Sequence, residues 1–562
     1  MLSMLPAHAA PRLLFATALL IGTAMESRAQ TTGNPPAEPP TKAAAESAGT
    51  ATAEPRFDIL EFEIEDNSVL SPRRIEEAVM PFLGEGRSLA DVEAARAALE
   101  KAYQSAGFLT VFVDVPEQRV EGGLVRLHVT EGRIERLKVT GSRYYSQGYI
   151  REKVTELAEG GVPNFETVQR QLAGVNRTED RRVQPVLRPG KTPGTVEAEL
   201  KVDDRLPFGG SVELNNRHAA DTKPLRLVAN VHYDNLFQRD HSLAVTAITA
   251  PEQPSQSSVL TGTYSVPTDS GATWIGYAVI SDSTVQPLGA TTVLGKGFTA
   301  GIRYVLPLPS PLGQVHSVSL GADYKNLRER VDAGTDSIST PLRYLPFSAA
   351  YNGSWQDESG TLTQLTTTFT FGVARLLQRR VDCPGNVGPI DQFGCKRQGA
   401  DGGFSTLRAD LRHTRALPFG GSVALRLGGQ IANMPLASSE QFSAGGAESV
   451  RGYDEAEASG DTALLGSAEW RSPNWAAWFD RGEKRSLDEV SVLGFADVAR
   501  VSVMQPVAGQ AHRVPLFGTG VGLRIKAMKT VALDIDLAWP HKATARNPDN
   551  DPSLYFRLAV QF

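Results

Sequence analysis

Val521-Gly522-Leu523-Arg524-Ile525-Lys526, then Leu533-Asp534-Ile535-Asp536-Leu537, then the closing Phe556-Arg557-Leu558-Ala559-Val560-Gln561-Phe562 decide the fold. In each run apolar side chains take every second position, with mostly charged or small residues between. A period of two puts alternate residues on opposite faces of a strand, so each run has one apolar face and one polar face. Upstream, Leu407, Ala409 and Leu411 alternate with Arg408, Asp410 and Arg412, and Val423, Leu425 and Leu427 alternate with Ala424, Arg426 and Gly428. A soluble sandwich would alternate too. Scale and termination separate the two. From Pro207 helical patterns disappear and no linker interrupts the strands; about 350 residues at about 22 per strand plus loop predict about sixteen strands, an even number as bacterial barrels require. The chain ends on a strand, and an unpaired edge cannot sit in lipid. The reading is a transmembrane β-barrel of about sixteen antiparallel strands over residues 205–562.

The compartment agrees. Arg12 precedes an apolar run from Leu13 to Met25, and the small residues Ser27 and Ala29 stand at the spacing a signal peptidase accepts, which predicts a signal peptide over residues 1–29. That run is shorter than the about 20 residues a membrane-spanning helix needs, and no other continuous apolar run follows. Residues 30–56, rich in Pro, Ala, Thr and Glu, read as a flexible tether. The formal net charge is -6, and no basic tract of the kind that neutralises phosphates is present, so nucleic acid is not an expected partner. Cys383 and Cys395 lie in a Pro/Gly-rich segment of an exported chain, which favours a local disulfide over a metal site. No metal and no cofactor is expected.

Between tether and barrel the pattern is mixed. Leu60, Phe62 and Ile64 alternate with acidic residues as a half-buried strand does. Ser71-Pro72 offers an N-cap and a proline at the first helical position, with Ile75, Val79, Phe82 and Leu83 on one face. Ser88 opens a second helix carrying Val92, Ala95, Leu99 and Tyr103, and Gly107 ends it. Strands through Leu109–Val115 and Val125–Val129 follow. This β-α-α-β-β order over residues 57–132 recurs over 133–204, through Ile134, Leu137 and Val139, then Ile150, Val154 and Leu157, then Phe165, Val168, Leu172 and Val175, then Val183–Leu187 and Val196–Val202. The alternative is a generic pair of α+β domains. The pattern resembles two POTRA domains, the periplasmic modules of outer-membrane assembly and secretion proteins.

Within the barrel, residues 436–462 form a long polar loop containing Gly445-Gly446-Ala447-Glu448-Ser449-Val450-Arg451-Gly452-Tyr453. It sets one permanently charged fork among glycines that allow unusual backbone conformations. Alone, Arg-Gly-Tyr is most often a solvated turn. In this order of segments the chain resembles the TpsB transporters of two-partner secretion, the hemolysin and hemagglutinin secretion/activation family. The resemblance implies that the loop folds into the barrel lumen and that its arginine pairs with the aspartate of a Phe-x-Asp-x-Gly strand motif. Phe495-Ala496-Asp497-Val498-Ala499 is the match, and parity independently turns Phe495 and Asp497 inward. Ala499 departs from the glycine of the motif, and the short tether leaves little room for the plug helix that many relatives carry. The expected gating set is Val450, Arg451, Gly452, Tyr453, Phe495 and Asp497.

The resemblance further implies a transporter that captures an unfolded exoprotein through its POTRA modules and passes it through the barrel without ATP, over a lumen of mixed sign formed by residues such as Arg408, Asp410, Arg412, Glu469, Arg471, Asp534 and Asp536. The implied partners are a large secreted adhesin, hemolysin or contact-dependent toxin, outer-membrane lipid, and the barrel-assembly machinery, since the terminal Phe562 resembles an insertion signal. Enzyme motifs such as His-Glu-x-x-His and Gly-x-Ser-x-Gly are absent. Gly518, Gly520 and Gly522 read as small strand residues. Two alternatives remain: a barrel-assembly insertase of the same superfamily, which usually carries more modules, and a passive porin or receptor, which needs none.

Overall fold

A computed structural model describes residues 56–562 apart from 219, 221, 284–295, 334–335, 384–387, 480–485 and 508. The signal peptide and all but the last residue of the tether lie outside the described residues. The first module comprises β1 (Phe57–Ile59), β2 (Glu61–Glu65), α1 (Pro72–Val79), β3 (Gly84–Arg87), α2 (Leu89–Ser105), β4 (Val111–Asp114) and β5 (Leu124–Glu131). Helix α2 begins where Ser88 and Asp91 form a capping box, which satisfies two amides at the helix start that have no partner within it. Its Val92, Leu99 and Tyr103 pack with Val111, Val113, Val125 and Leu127 of a sheet ordered β2-β5-β4.

The sequence pattern suggested one strand through Leu60, and the structure splits it. Leu60 and Glu61 both donate their amides to Gly123 O, so β1 leaves the main sheet and pairs with β3. Ile59 becomes buried and Leu60 is turned out to solvent. The second module, β6 (Arg133–Thr140), α3 (Gln147–Lys153), α4 (Phe165–Val175), β7 (Arg181–Pro189) and β8 (Thr195–Asp204), repeats the plan with sheet order β6-β8-β7.

The barrel follows at once. Its first strands are β9 (Phe208–Asn215), β10 (Arg226–Leu236), β11 (His241–Thr249), β12 (Ser257–Pro267), β13 (Thr273–Ser283), β14 (Lys296–Leu308), β15 (Gln314–Ala333), β16 (Asp336–Tyr344), β17 (Phe347–Gln356) and β18 (Leu362–Phe371). A loop carries the short hairpin β19 (Arg380–Val381) and β20 (Ile390–Asp391) and helix α5 (Gln392–Lys396). Strands β21 (Ser405–Ala416) and β22 (Ser422–Ala432) precede a loop holding β23 (Phe442–Ala444) and β24 (Ala458–Gly460). The wall is completed by β25 (Thr462–Arg471), then α6 (Ala476–Phe479) in a turn, then β26 (Leu487–Ser502), β27 (Arg513–Ala527), β28 (Val531–Pro540) and β29 (Ser553–Gln561). Both β16 and β17 pair with β15, one after the other, so they share one position and the closed wall has 16 antiparallel strands. Closure joins β29 to β9 from Arg557↔Asn215 to Gln561↔Ser211, extended by Phe562 and Gly210 exchanging two amide bonds of 3.0 Å.

The two faces of the wall differ as the alternation requires. Leu427, Ile431, Leu464, Val498 and Val521 are exposed on the outside, whereas Asp497, Arg524 and Asp536 are buried on the inside. An apolar outer belt on a closed wall matches hydrocarbon, not water.

The second module is fastened to the barrel at the turn between β10 and β11. Phe237, Gln238 and Asp240 all hold positive φ there, between 56 and 59°, a costly conformation for residues other than glycine. Contacts from the module sustain it. Gln238 Oε1 accepts the Ser146 amide at 2.8 Å, and Asp240 accepts both Arg181 Nη atoms at 2.9 Å. The Arg181 guanidinium is fully buried and lies 4.4 Å from the Tyr145 ring centroid. Burial and the neighbouring Asp240 carboxylate push the Tyr149 hydroxyl up to about 12, so at neutral pH it remains a donor to Asp240, at 3.2 Å. Asp240→Ala would leave a buried cation without its carboxylate, a loss of about 3–5 kcal/mol. The expected outcome is a loosened module: spin labels at Lys191→Cys and Leu312→Cys should show one narrow distance in the parent and a broadened distribution in the variant.

Candidate functional site in the barrel lumen

The loop between β22 and β25 turns inward from the end of the barrel opposite the modules. β23 and β24 pair antiparallel to form its stem, with the Ser443 and Ser459 hydroxyls 2.8 Å apart. At the tip Gly452 has φ 101°, and a Cβ there would lie 2.8 Å from the Pro540 nitrogen. Only glycine allows both that backbone conformation and that approach to β28.

The tip places Arg451 against the wall. Its Nε is 2.7 Å from Asp497 Oδ2 and its Nη2 is 3.0 Å from Asp497 Oδ1, a bidentate pair. The Arg451 amide adds a third bond to Asp497 at 3.2 Å, and the Ser467 hydroxyl donates a fourth at 2.6 Å. Nη1 reaches Glu469 at 3.1 Å, and the guanidinium lies 3.4 Å from the Phe495 ring centroid. The fork therefore meets two carboxylates and an aromatic face, which a single ammonium could not do. Asp497 is 1% exposed and Arg451 7%, so the pair is held away from the water of the lumen.

Val450 and Tyr453 anchor the flanks. Val450 is buried with Leu465, Ala499, Val501 and Leu516; Ala499, at the glycine position of the motif, packs there with its methyl group. Tyr453 is also fully buried, with its hydroxyl 2.9 Å from Lys542 O. The site residues Val450, Arg451, Gly452, Tyr453, Phe495 and Asp497 thus meet in one place. Cys383 and Cys395 are bonded to each other in a different loop.

Several partners were not singled out from the sequence. Tyr555 accepts the Gly452 amide at 2.9 Å and donates to Tyr453 O at 2.6 Å. Parity had the signal, because Phe556, Leu558 and Val560 face out and so Tyr555 faces in. Gly518, Gly520 and Gly522 form an inward-facing row on β27. A Cβ on Gly518 would overlap the Arg451 carbonyl oxygen, one on Gly520 the Phe495 ring, and one on Gly522 the Asp536 carboxylate. Gly518 is the floor on which the loop tip rests, and Gly520 and Gly522 leave room for the wall side chains beneath it. Further out, Arg217 pairs with Glu448 at 2.6 Å.

Around the site the wall alternates in charge. Arg524 is bidentate to Asp536, and Arg557 bridges Asp534 and Glu213. Arg426 and Arg412 share Asp410. Such a surface offers many exchangeable polar contacts and no deep single-sign trap.

Tyr555→Phe should leave the Gly452 amide and the Tyr453 carbonyl buried without partners, a cost of about 1–3 kcal/mol. Hydrogen exchange of peptides covering 445–453 should accelerate while exchange in β27 and β28 stays unchanged.

Comparison with known proteins adds the family. A family model described as "POTRA domain, ShlB-type" matches residues 57–132, and one described as "Haemolysin secretion/activation protein ShlB/FhaC/HecB" matches residues 384–525. The chain is 24% identical over 544 residues to the outer membrane transporter CdiB of Dickeya dadantii (strain 3937), covering 92% of this chain and 88% of that protein. It is 21% identical over 400 residues to the heme/hemopexin transporter protein HuxB of Haemophilus influenzae, covering 69% and 67%. Among solved structures, CdiB from Escherichia coli superposes with a TM-score of 0.57 at 17% identity over 92% of this chain and 93% of that one. BamA from Haemophilus ducreyi lacking POTRA domains 1-3 gives 0.53 at 14% over 90% and 100%; both likenesses bear on fold alone. With a ShlB-type module ahead of the barrel and the ShlB/FhaC/HecB match spanning the Arg451 loop and the Asp497 strand, the chain carries the signature regions of the haemolysin secretion/activation proteins of two-partner secretion, and it is an outer-membrane barrel with its POTRA region in the periplasm.

Proposed function

We propose that this transporter exports a large unfolded exoprotein, captured by the periplasmic modules and passed through the lumen as the Arg451 loop gives way. One observation carries the reading: the lumen is occupied by a covalently tethered loop whose tip is held by side-chain contacts alone, the ion pairs of Arg451 and the packing and hydrogen bonds of Val450, Gly452 and Tyr453. Contacts of that kind can be broken and remade without unfolding the wall. The modules contribute open sheet edges, β2 and β4 in the first and β6 and β7 in the second, onto which an extended client segment can add as a further strand. No nucleotide-binding motif accompanies them, so binding and folding free energy of the client would drive passage. The client class is an adhesin, a hemolysin or a contact-dependent toxin.

The test pairs planar-bilayer conductance of the refolded protein with export of a co-expressed candidate exoprotein. Wild type should open intermittently and export the client. A wild type that forms no channel and exports nothing would sink the proposal. The short ladder between β29 and β9 favours a second reading, a barrel-assembly insertase that opens at this seam. Loss of other outer-membrane barrels on depletion, with export unaffected, would support it.

A further inference from the structure

The Arg451 loop is gripped at its outer end as well as at its tip. Asp461, the last residue before β25, is fully buried. Its carboxylate accepts Arg397 Nη1 at 2.6 Å and Nη2 at 2.7 Å, the Leu436 amide at 2.9 Å, the Met504 amide at 2.6 Å and Gln441 Nε2 at 3.3 Å. Arg397 in turn donates to Leu436 O at 3.0 Å and Met504 O at 2.6 Å. Leu436 and Asp461 are the two roots of the inward loop, and Met504 belongs to the segment that follows β26. One ion pair therefore ties both roots of the loop to a neighbouring outer segment.

The cation comes from a third segment, which is itself fastened. Arg397 follows α5 directly, and α5 contains Cys395, bonded to Cys383. Gln392 of the same helix is buried and exchanges bonds with the Arg343 backbone at 2.9 and 2.7 Å, which fixes the helix against β16. Phe393 and Phe404 pack with Leu436 and Ala437 in one apolar cluster. The disulfide-stapled segment thus presents a positioned guanidinium to the base of the loop. A bidentate, fully hydrogen-bonded pair of this kind is geometrically specific, unlike an exposed salt bridge of no fixed geometry.

We infer that Arg397 and Asp461 form an outer clamp, a second lock that governs how often the Arg451 loop leaves the lumen, with the Cys383–Cys395 segment as its support. The inference rests on the gated-transporter reading above. Arg397 is a positioning residue: it touches no client and acts through the loop. Releasing it removes the guanidinium from both roots and leaves them joined only by the remaining bonds to Asp461, while the Arg451–Asp497 pair stays in place, so the closed state loses one of two locks. The disulfide matters only as the support of α5, and its removal should produce the same change in weaker form.

The experiment uses the full refolded chain in planar bilayers. Arg397→Met and Asp461→Asn are each expected to raise the frequency of large openings about tenfold, the order of shift that loss of one charge-assisted pair gives a two-state equilibrium. The double variant Arg397→Met with Asp461→Asn should open no more often than the more open of the two single variants, since both changes remove the same pair, and Cys383→Ser with Cys395→Ser should raise the frequency less than Arg397→Met does. Heat-shifted electrophoretic mobility establishes that each barrel is folded. Where Asp461→Asn does not insert, Arg397→Lys, which keeps the charge but cannot form the fork, carries the same comparison. A folded Arg397→Met channel that opens as rarely as wild type would overturn the clamp, and so would a double variant whose increase is the product of the two single increases. Conductance needs no client, so the two readings fail separately. A channel that gates as expected but exports nothing overturns secretion and leaves the clamp; normal export with unchanged gating overturns the clamp and leaves secretion.

Discussion

Arg451→Ala is expected to open the channel about a hundredfold more often than wild type and to abolish regulated export. The substitution removes the bidentate pair with Asp497, the contact with Glu469 and the cover over Phe495. Asp497 then keeps only Ser467 among its present side-chain partners while remaining inside the wall. Breaking one partner of a buried pair costs about 3–5 kcal/mol; the lower end applies beside a hydrated lumen, and about 3 kcal/mol corresponds to roughly a hundredfold change in the open fraction. Asp497→Ala should act in the same direction but less strongly, because Arg451 retains Glu469 at 3.1 Å. The double variant should resemble Arg451→Ala, since both changes remove the same interaction. Bilayer recordings of the three variants decide the matter, and equal opening of wild type and Arg451→Ala would dissolve the role of the pair.

Gly518→Ala should match Arg451→Ala in effect although it removes no charge. A Cβ at this position overlaps the Arg451 carbonyl oxygen, whereas the nearest wall atom among its neighbours, Trp539 O, is 3.6 Å away. The wall of the barrel accommodates the methyl group and the loop does not. The variant should therefore fold and insert as a normal barrel and yet fail to seat the loop. Gly520→Ala provides the contrast: its Cβ would strike the Leu537 carbonyl oxygen of the adjacent strand as well as the Phe495 ring, so it should damage the barrel itself. Conductance together with heat-shifted mobility separates the two outcomes. High opening frequency with intact mobility is expected for Gly518→Ala, and impaired folding for Gly520→Ala. A Gly518→Ala protein with wild-type gating would mean that the loop does not rest where this structure places it.

Both predictions show where sequence and structure divide. The alternation of Leu533, Ile535 and Leu537 with Asp534 and Asp536 determines a strand with one apolar and one charged face, because side-chain direction reverses at every residue. Repeated over the C-terminal two thirds of the chain, it determines a closed lipid-facing barrel, since open edges are intolerable in hydrocarbon. The same parity turns Asp497 inward. The capping box at Ser88 and the helical face of Val92, Leu99 and Tyr103 are likewise local facts of sequence.

What no local pattern contains is which distant residues share the lumen. Gly518 reads as a small strand residue until a loop more than sixty positions earlier is laid across it. Arg397 and Asp461 have no common motif; they meet because a stapled helix and the root of another loop converge at the outer end of the barrel. Periodicity records the face a side chain takes, and that face is decided by the local backbone. Partnership is decided by the closure of the wall and the fold of its loops, so only the tertiary structure reveals it.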